Sequence, residues 1–344
     1  MRIRYSLRTF LIAVSVVAVA VWLGTFAASY YSTWRATKHL ESRRFLCGYF
    51  AEPNGWAVEI CDATSTDWRH LRRLGELREI AIWNPDIQRP EFRELVQQNQ
   101  EHLRELMFNA CDLSPELAAT ISDARQLESL IFWEPNNSSQ PFVIPPLPHL
   151  NNISFLSGDV SDENLEWIAN QPAATAVYIN NKLITDKTAE PLAASKSLRR
   201  LGIAHTSIST AGVRKLMSQL KLQEIALPAV QLDEADVLAM ANSELVHIDL
   251  RSVDLIGSVT ALVQCERIQD LEISLMQYET LMSTCSELSR RNKLRLHVHE
   301  LESVEDIPAT PWEDAVEMLR YSRTGSVLWS ESELPNLPGG RAAE

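Results

Sequence analysis

The chain lacks the residue groupings that most chemistries require. It has no Gly-rich phosphate loop, no G-x-S-x-G elbow, no H-E-x-x-H pair and no EF-hand loop. The nucleotide, hydrolase, metalloprotease and calcium-sensor readings that depend on those motifs fall away. The single metal-like cluster is HVHE at 297–300, where His297 and His299 share one side of a strand and no third ligand stands nearby in sequence. Two imidazoles do not complete a metal site. The expectation is a non-enzyme with no catalytic residues, no cofactor and no metal. Cationic charge is scarce as well: the net charge is −13, which excludes the basic face of a nucleic-acid binder. Cysteine is sparse, with Cys47, Cys61, Cys111, Cys265 and Cys285 spread over 344 residues and no C-x-x-C pair. An odd number leaves at least one free thiol or an intermolecular bond. Buried free thiols are the expected state, and a Cys47–Cys61 bridge is the alternative if that end meets an oxidising compartment.

What charge there is, is unevenly placed. Residues 1–44 carry seven Lys/Arg and only Glu41, a net of +6, which leaves −19 on the rest. Within the basic end, residues 10–31 read FLIAVSVVAVAVWLGTFAASYY without a charge. About 20 such residues span a bilayer core as a helix. Arg2, Arg4 and Arg8 precede the run, and Trp22, Tyr30, Tyr31 and Trp34 stand where interfacial aromatics belong. The run is read as a transmembrane signal anchor, flanked by a basic N-terminus at 1–9 and a basic juxtamembrane connector, expected to be helical, at 32–54. A cleaved signal peptide, with Ala27, Ala28 and Ser29 near the cut, is the competing reading. The short, arginine-dense N-terminus points to a cytoplasmic start and an exported, extracytoplasmic body. The stretch SLRTFLI resembles the opening of bacterial membrane-anchored proteins.

The body is periodic. At 198–208 it reads LRRLGIAHTSI, with apolar residues at 0, +3, +5 and +10. The same spacing starts at Leu77, Leu103, Leu127, Leu150, Ala174, Leu222, Leu245, Ile268 and, in degenerate form, Arg291, with steps of 26, 24, 23, 24, 24, 24, 23, 23 and 23 residues. Positions +3 and +5 alternate as a strand does. Position +10 returns to the core after a turn, and a helix follows. Ser114 before Pro115, and Ser209 before the Val213/Leu216/Leu220 stripe, are helix starts of this kind. WAVEIC at 56–61 is an earlier partial unit, suited to a cap strand. One such unit cannot bury its apolar side alone; a stack of them can.

The pattern L-x-x-L-x-L-x-x-x-x-L resembles the leucine-rich repeat, here in a membrane-anchored bacterial form, over residues 55–301. The resemblance implies an α/β solenoid of about ten strand-turn-helix units with a parallel concave sheet. At the ninth position the family favours Asn or Cys. This chain has Pro85, Cys111, Pro135, Gly158, Lys182, Thr206, Val230, Val253, Met276 and His299 there. Only Cys111 fits, with Thr206 a substitute, so a weak inner hydrogen-bond ladder is expected. Thr310, Pro311 and the acidic residues after them predict a capping helix within 302–324, and 325–344 reads as a disordered tail.

The concave face is set by the outward positions. Column +4 reads Ala81, Met107, Ile131, Ser154, Tyr178, Gly202, Ala226, Asp249, Glu272 and Arg295; column +6 reads Trp83, Asn109, Trp133, Leu156, Asn180, Ala204, Pro228, Arg251, Ser274 and His297. The first half offers Trp83, Met107, Ile131, Trp133 and Tyr178. The second offers Asp249, Arg251 and Glu272, joined at +2 by His247 and Asp270. Aromatic and Arg anchors are what protein-binding surfaces use. The competing reading has the two tryptophans covered by their own loops or by the Pro-rich segment 141–148. The expected function is a membrane-tethered module that binds a protein or an extended peptide without chemistry. A structural component of a membrane complex and an accessory regulator acting through the tail are the alternatives. The oligomeric state is left open.

Overall fold

The computed structural model describes residues 7–322, apart from 52–53, 85, 138–141, 204, 242, 256–266, 275–276, 278–294 and 302–316. Only the backbone is described at 7–16, 20, 46–51, 54, 241, 295–301 and 317–322. A helix, α1 (Leu7–Ser42), leads into one sheet whose strands follow chain order. These are β1 (Leu46–Ala51), β2 (Asn54–Ile60), β3 (Leu77–Trp83), β4 (Glu105–Asn109), β5 (Ser129–Trp133), β6 (Asn152–Leu156), β7 (Ala176–Asn180), β8 (Arg200–Gly202), β9 (Glu224–Ala226), β10 (His247–Asp249), β11 (Asp270–Ser274), β12 (Arg295–Leu301) and β13 (Glu317–Ser322). β1 pairs antiparallel with β2. From β2 onward each strand pairs in parallel with the next. One strand per repeat, always beside its predecessor, is the arrangement of a leucine-rich-repeat-like solenoid.

The repeat spacing explains the packing. Leu198, Leu201, Ile203 and Ile208, the four apolar positions of one unit, are all buried. At +5 the column passes through Phe108, Phe132 and Phe155, which lie in register on adjacent strands. Phe108 stacks on Phe132 with centroids 5.4 Å apart, and Phe132 on Phe155 at 4.8 Å. Phe92, Phe142 and Trp167 close the spine edge-on. Parallel strands force like side chains to stack, and the aromatic column uses that geometry.

Helices on the other side begin where the caps stand. α2 (Ser65–Leu71) is capped by Thr64 in a reciprocal box with Asp67, and α3 (Pro90–Gln98) opens on Pro90. α4 (Pro115–Asp123) is capped by Ser114, whose hydroxyl accepts from the Leu117 amide at 3.2 Å. α5 (Asp186–Ala193) is capped by Thr185, α6 (Thr210–Gln219) by Ser209, and α7 (Glu234–Ala241) follows.

The caps are tied from repeat to repeat. Asn137 Oδ1 accepts the Ser161 amide at 3.0 Å. Asp162 accepts the Thr185 amide at 2.9 Å and its hydroxyl at 2.7 Å. Asp186 accepts the Ser209 amide at 2.7 Å and its hydroxyl at 2.6 Å. Buried amides add a second tie. Asn99 takes the Leu77 amide at 2.8 Å, and Gln171 takes the Leu147 amide at 2.9 Å.

Two inner side-chain bonds of the ladder kind occur among the described residues, one residue to either side of the column where they were sought. Asn181, not Lys182, donates to the Gly158 carbonyl at 2.8 Å. Gln277, not Met276, donates to the Leu250 and Val253 carbonyls at 2.7 and 2.6 Å. Thr206 bonds its own turn, at Ile203 O, rather than the neighbouring repeat.

Several expectations are corrected. In the unit at Leu150 the helix is replaced by two 3₁₀ turns, Asp162–Asn164 and Glu166–Asn170. There the Trp167 indole swings inward and takes the Asn164 carbonyl at 2.9 Å, which an α-helix would have used. In the last repeat Leu271 pairs with Leu296 and Glu272 with His297, so the register sits two residues further on than read from Arg291. An alternating stretch such as LRLHVHE fits both registers without changing face. Residues 317–322, expected within a capping helix, form β13 against β12. A further strand satisfies the open amides and carbonyls of the sheet edge, which a helix laid on the core would leave bare. The rest of that expected helix and the expected tail lie outside the described residues.

The connector at 32–54, expected to be helical, is helix only to Ser42 and strand over Leu46–Ala51. The buried Ala36, Leu40 and Phe45 join it to the solenoid core. There His39 Nε2 lies 2.7 Å from Asp67 Oδ1 and stacks on His70 at 4.3 Å. Cys61 is exposed and free, so the Cys47–Cys61 bridge is not formed. Cys111 is buried, and burial pushes its thiol up to about 12. Among the described residues no helix is long and apolar enough to cross a membrane. The run 10–31 lies inside α1, and the side chains of its first seven residues are outside the described set.

Candidate binding face

The sheet face opposite the helices presents the outward columns. Its strands end in a repeated turn. Ala110, Glu134, Ser157 and His205 follow the +6 residues of their repeats, and all have φ between 50° and 64°. The left-handed turn ends the strand and leaves the +6 side chain at the rim. Trp83, Asn109 and Trp133 occupy three successive places in that row. Trp83 is 38 % exposed and Trp133 44 %. Two strand spacings put the two tryptophans about 10 Å apart along the row. Trp83 Nε1 donates to Glu59 Oε1 at 3.0 Å, which orients the indole without covering it. Met107 and Ile131 neighbour each other in the +4 row and are half-buried.

The Pro-rich segment does not cover the tryptophans. Phe142, Ile144 and Leu147 turn into the core on the helix side, held by Gln171 Nε2 to the Ile144 and Pro145 carbonyls at 3.2 and 3.3 Å. Tyr178 serves a different purpose from its neighbours. Its ring lies across Gly202, where a methyl group would collide with it. Glycine at an outward position, uninformative in sequence, is the seat of that ring.

The charged half is largely spent on itself. Arg251 reaches Asp249 through Nε at 2.9 Å and Nη2 at 2.6 Å, and its amide donates to the same carboxylate at 3.0 Å. Arg251 Nε also lies 3.4 Å from Glu272, whose other oxygen is 3.1 Å from His247 Nε2. Burial works against charging His247, but the Glu272 hydrogen bond and the charges of Glu272, Glu224 and Asp270 outweigh it and raise its pKa. Asp249 is buried. The sequence placed these residues together. It did not show that they neutralise one another through contacts that only the strand register reveals. Glu59 was missed because the partial first unit was not read into the columns; extending the +4 row by one strand finds it, opposite Ala81. Side chains of the HVHE stretch lie outside the described residues, and among the described residues no cluster of three metal-ligating groups occurs.

The sheet register and the buried columns define the molecule as a leucine-rich-repeat-like solenoid. No protein-family model matches the chain, and no curated protein matches it. Among solved structures, an internalin of Listeria monocytogenes is 16 % identical, aligned over 77 % of this chain and 85 % of its own with a TM-score of 0.40. Internalin C2 of the same species is 15 % identical over 74 % and 84 %, at 0.33. With superposition that loose, the assignment stands on the register of this sheet alone.

Proposed function

We propose that the chain is a membrane-tethered binding module that recognises a protein or an extended peptide on the open face of its sheet, without catalysis. The observation that carries this is the pair of exposed indoles, Trp83 and Trp133, held at fixed places in one row of a rigid parallel sheet. Tryptophan costs little conformational entropy to immobilise and buries a large area, which makes such a pair a strong anchor. The uncharged run 10–31 supplies the tether, and the arginines before it favour an exported body. The joint packing of Ala36, Leu40 and Phe45 with the first repeat supports a tether that carries the solenoid as one unit with it. The test is recovery of partners from membranes with the wild-type chain and with Trp83→Ala/Trp133→Ala. The double variant should fold and lose the specific partner at least tenfold. Unchanged recovery would end the binding-face reading. Protease protection of the same membranes reports the side on which the body lies.

A further inference from the structure

Exposed cations gather where α1 meets α2. Arg35, Lys38, Arg43 and Arg44 stand on or just after α1, and Arg69, Arg72 and Arg73 on or just after α2. The carboxylates of these two stretches are Glu41, which Lys38 reaches at 2.7 Å, and the buried Asp67, which Arg43 approaches at 3.5 Å. Arg72 is taken by Glu94 at 2.7 Å. Glu76, at the corner after α2, lies 4.0 Å from His102. Among the described residues no carboxylate pairs with Arg35, Arg69 or Arg73.

Contacts between the helices fix their relative direction. Asp67 meets His39 at 2.7 Å and Arg43 at 3.5 Å. One turn further along α2, His70 stacks on His39 at 4.3 Å. Burial, and then the charges of His39, Arg73 and Arg35, hold the His70 pKa down against the pull of Asp67. From Asp67 to His70 the partners on α1 thus step back from Arg43 toward Arg35. α2 therefore runs antiparallel to α1, and its basic C-terminal end points toward the exposed Tyr30, Tyr31 and Trp34. Arg69 and Arg73 stand four apart on one helical face, and Arg73 follows His70 by one turn. Arg35 directly follows Trp34, and the helix axis from Arg35 to His39 covers about 6 Å. A headgroup layer is about 5–8 Å deep on each side of the hydrocarbon core. With the aromatic cluster at the hydrocarbon boundary, the end of α2 lies at headgroup depth.

We infer that Arg35, Arg69 and Arg73 form a basic collar that binds the phosphates of anionic phospholipid headgroups and seats the first repeat on the bilayer surface. The inference rests on the reading of the run 10–31 as the tether, and it names what the solenoid end of that tether binds. Guanidinium groups present planar donors that match phosphate oxygens. Each basic side chain held near an anionic surface adds attraction that fades within a Debye length. The chain beyond residue 44 carries −19, which the same surface repels. The collar therefore selects the end of the solenoid that faces the bilayer.

The probe is the full chain in phosphatidylcholine vesicles with a minor share of phosphatidylglycerol, one or the other lipid brominated, at ~0.1 M salt. Tryptophan quenching by the brominated lipid reports which headgroup class gathers at the helix exit. Phosphatidylglycerol should be enriched about tenfold over phosphatidylcholine, and ~1 M salt should remove the preference. Arg69→Gln/Arg73→Gln, at exposed side chains, should cut it to about threefold, the share left to the cations of α1. Arg69→Lys/Arg73→Lys should hold it within about twofold of wild type, because the charge is kept. Arg93→Gln/Arg125→Gln, the same charge change on later repeats, should leave it unaltered. No enrichment in the wild-type chain overturns the inference and leaves the arginines to an acidic protein surface. Enrichment that ignores Arg69→Gln/Arg73→Gln overturns it too, since α1 alone then binds the lipid. In both cases a chain that resists carbonate extraction keeps its tether. Extraction by carbonate ends the tether reading and this inference with it.

Discussion

Glu79 and Glu105 face each other across β3 and β4 in an outward row. Burial, and then the charge of Glu105, lift the Glu79 carboxyl from 4.5 to about 7, against the pull of Arg78. Between those two values the folded chain holds a proton that the unfolded chain has released. Stability from this group is therefore full below about pH 4.5 and is lost as pH rises to about 7. Glu79→Gln should stabilise the protein by roughly 1–2 kcal/mol at pH 7.5, a figure discounted for solvent at a half-buried face. It should also flatten the fall in stability over that window, as denaturant melts at a series of pH values would show. An unaltered slope would mean that the pair is solvated. Gly158 is a residue of another kind. Its φ is +79°, and a methyl there would overlap the Pro135 backbone. Gly158→Ala should cost about 2–4 kcal/mol, from the left-handed conformation and the overlap together, and a thermal melt would report it. A cost under 1 kcal/mol would show that the turn yields.

At the scale of the element, the repeat-to-repeat ties decide how helices sit on strands. Asp162 holds the cap of the following helix through the Thr185 amide, the Thr185 hydroxyl and the Thr188 hydroxyl. Burial opposes its charge, but these three donors and Lys187 outweigh it and keep its carboxyl below the usual range. Asp162→Ala removes one acceptor group and strands three donors, so a loss of about 2–3 kcal/mol is expected. Hydrogen exchange should locate the loss in the first turn of α5 rather than in β7, and uniform loosening would count against a local tie. The wild-type contribution is present above the ordinary aspartate range and disappears as pH falls through the lowered value. The elements themselves were legible because strand alternation, +10 closure and Ser/Thr caps recur at one period. The ties were not. Asn181 and Gln277 sit one residue off the expected ladder column, and Asp162 and Asp186 look like solvated helix-start acids until the neighbouring repeat is laid beside them. The face was legible to the same degree: the outward residues could be named, but not which of them were already engaged. Tyr178 over Gly202 joins two neighbours of the +4 column, whose residue types alone do not show the contact, and the Arg251–Asp249–Glu272–His247 network runs between columns, invisible in any one of them.

Across the whole molecule, stability should follow the solenoid axis rather than spread evenly, because each repeat contacts only its neighbours. Strands β4 to β7 have five residues each, whereas β8, β9 and β10 have three. The aromatic spine runs through the first group and ends at Phe155, giving way to Ile179 and Ile203 in the same column. Longer ladders and stacked rings make residues 103–180 the firm segment, and residues 198–249 the one that opens first. Native-state hydrogen exchange should therefore find slower exchange at Phe108, Phe132 and Phe155 amides than at Leu201, Ile225 and Ile248, by at least tenfold under conditions of fast reclosing. Phe132→Ala should lower the whole firm segment, at about 3–5 kcal/mol, while leaving the weaker segment's opening nearly unchanged. Equal protection along the axis would mean that the stack unfolds as a single unit. The gradient also bears on recognition. Trp133 lies in the firm segment and Trp83 on the seven-residue β3 that pairs with its first strand, so their spacing is kept before a partner arrives, and affinity is not spent on ordering the anchor. Of the self-paired charges, His247 and Asp249 lie on the three-residue β10 and Arg251 just beyond it, so a partner that competes for Arg251 meets a backbone able to give.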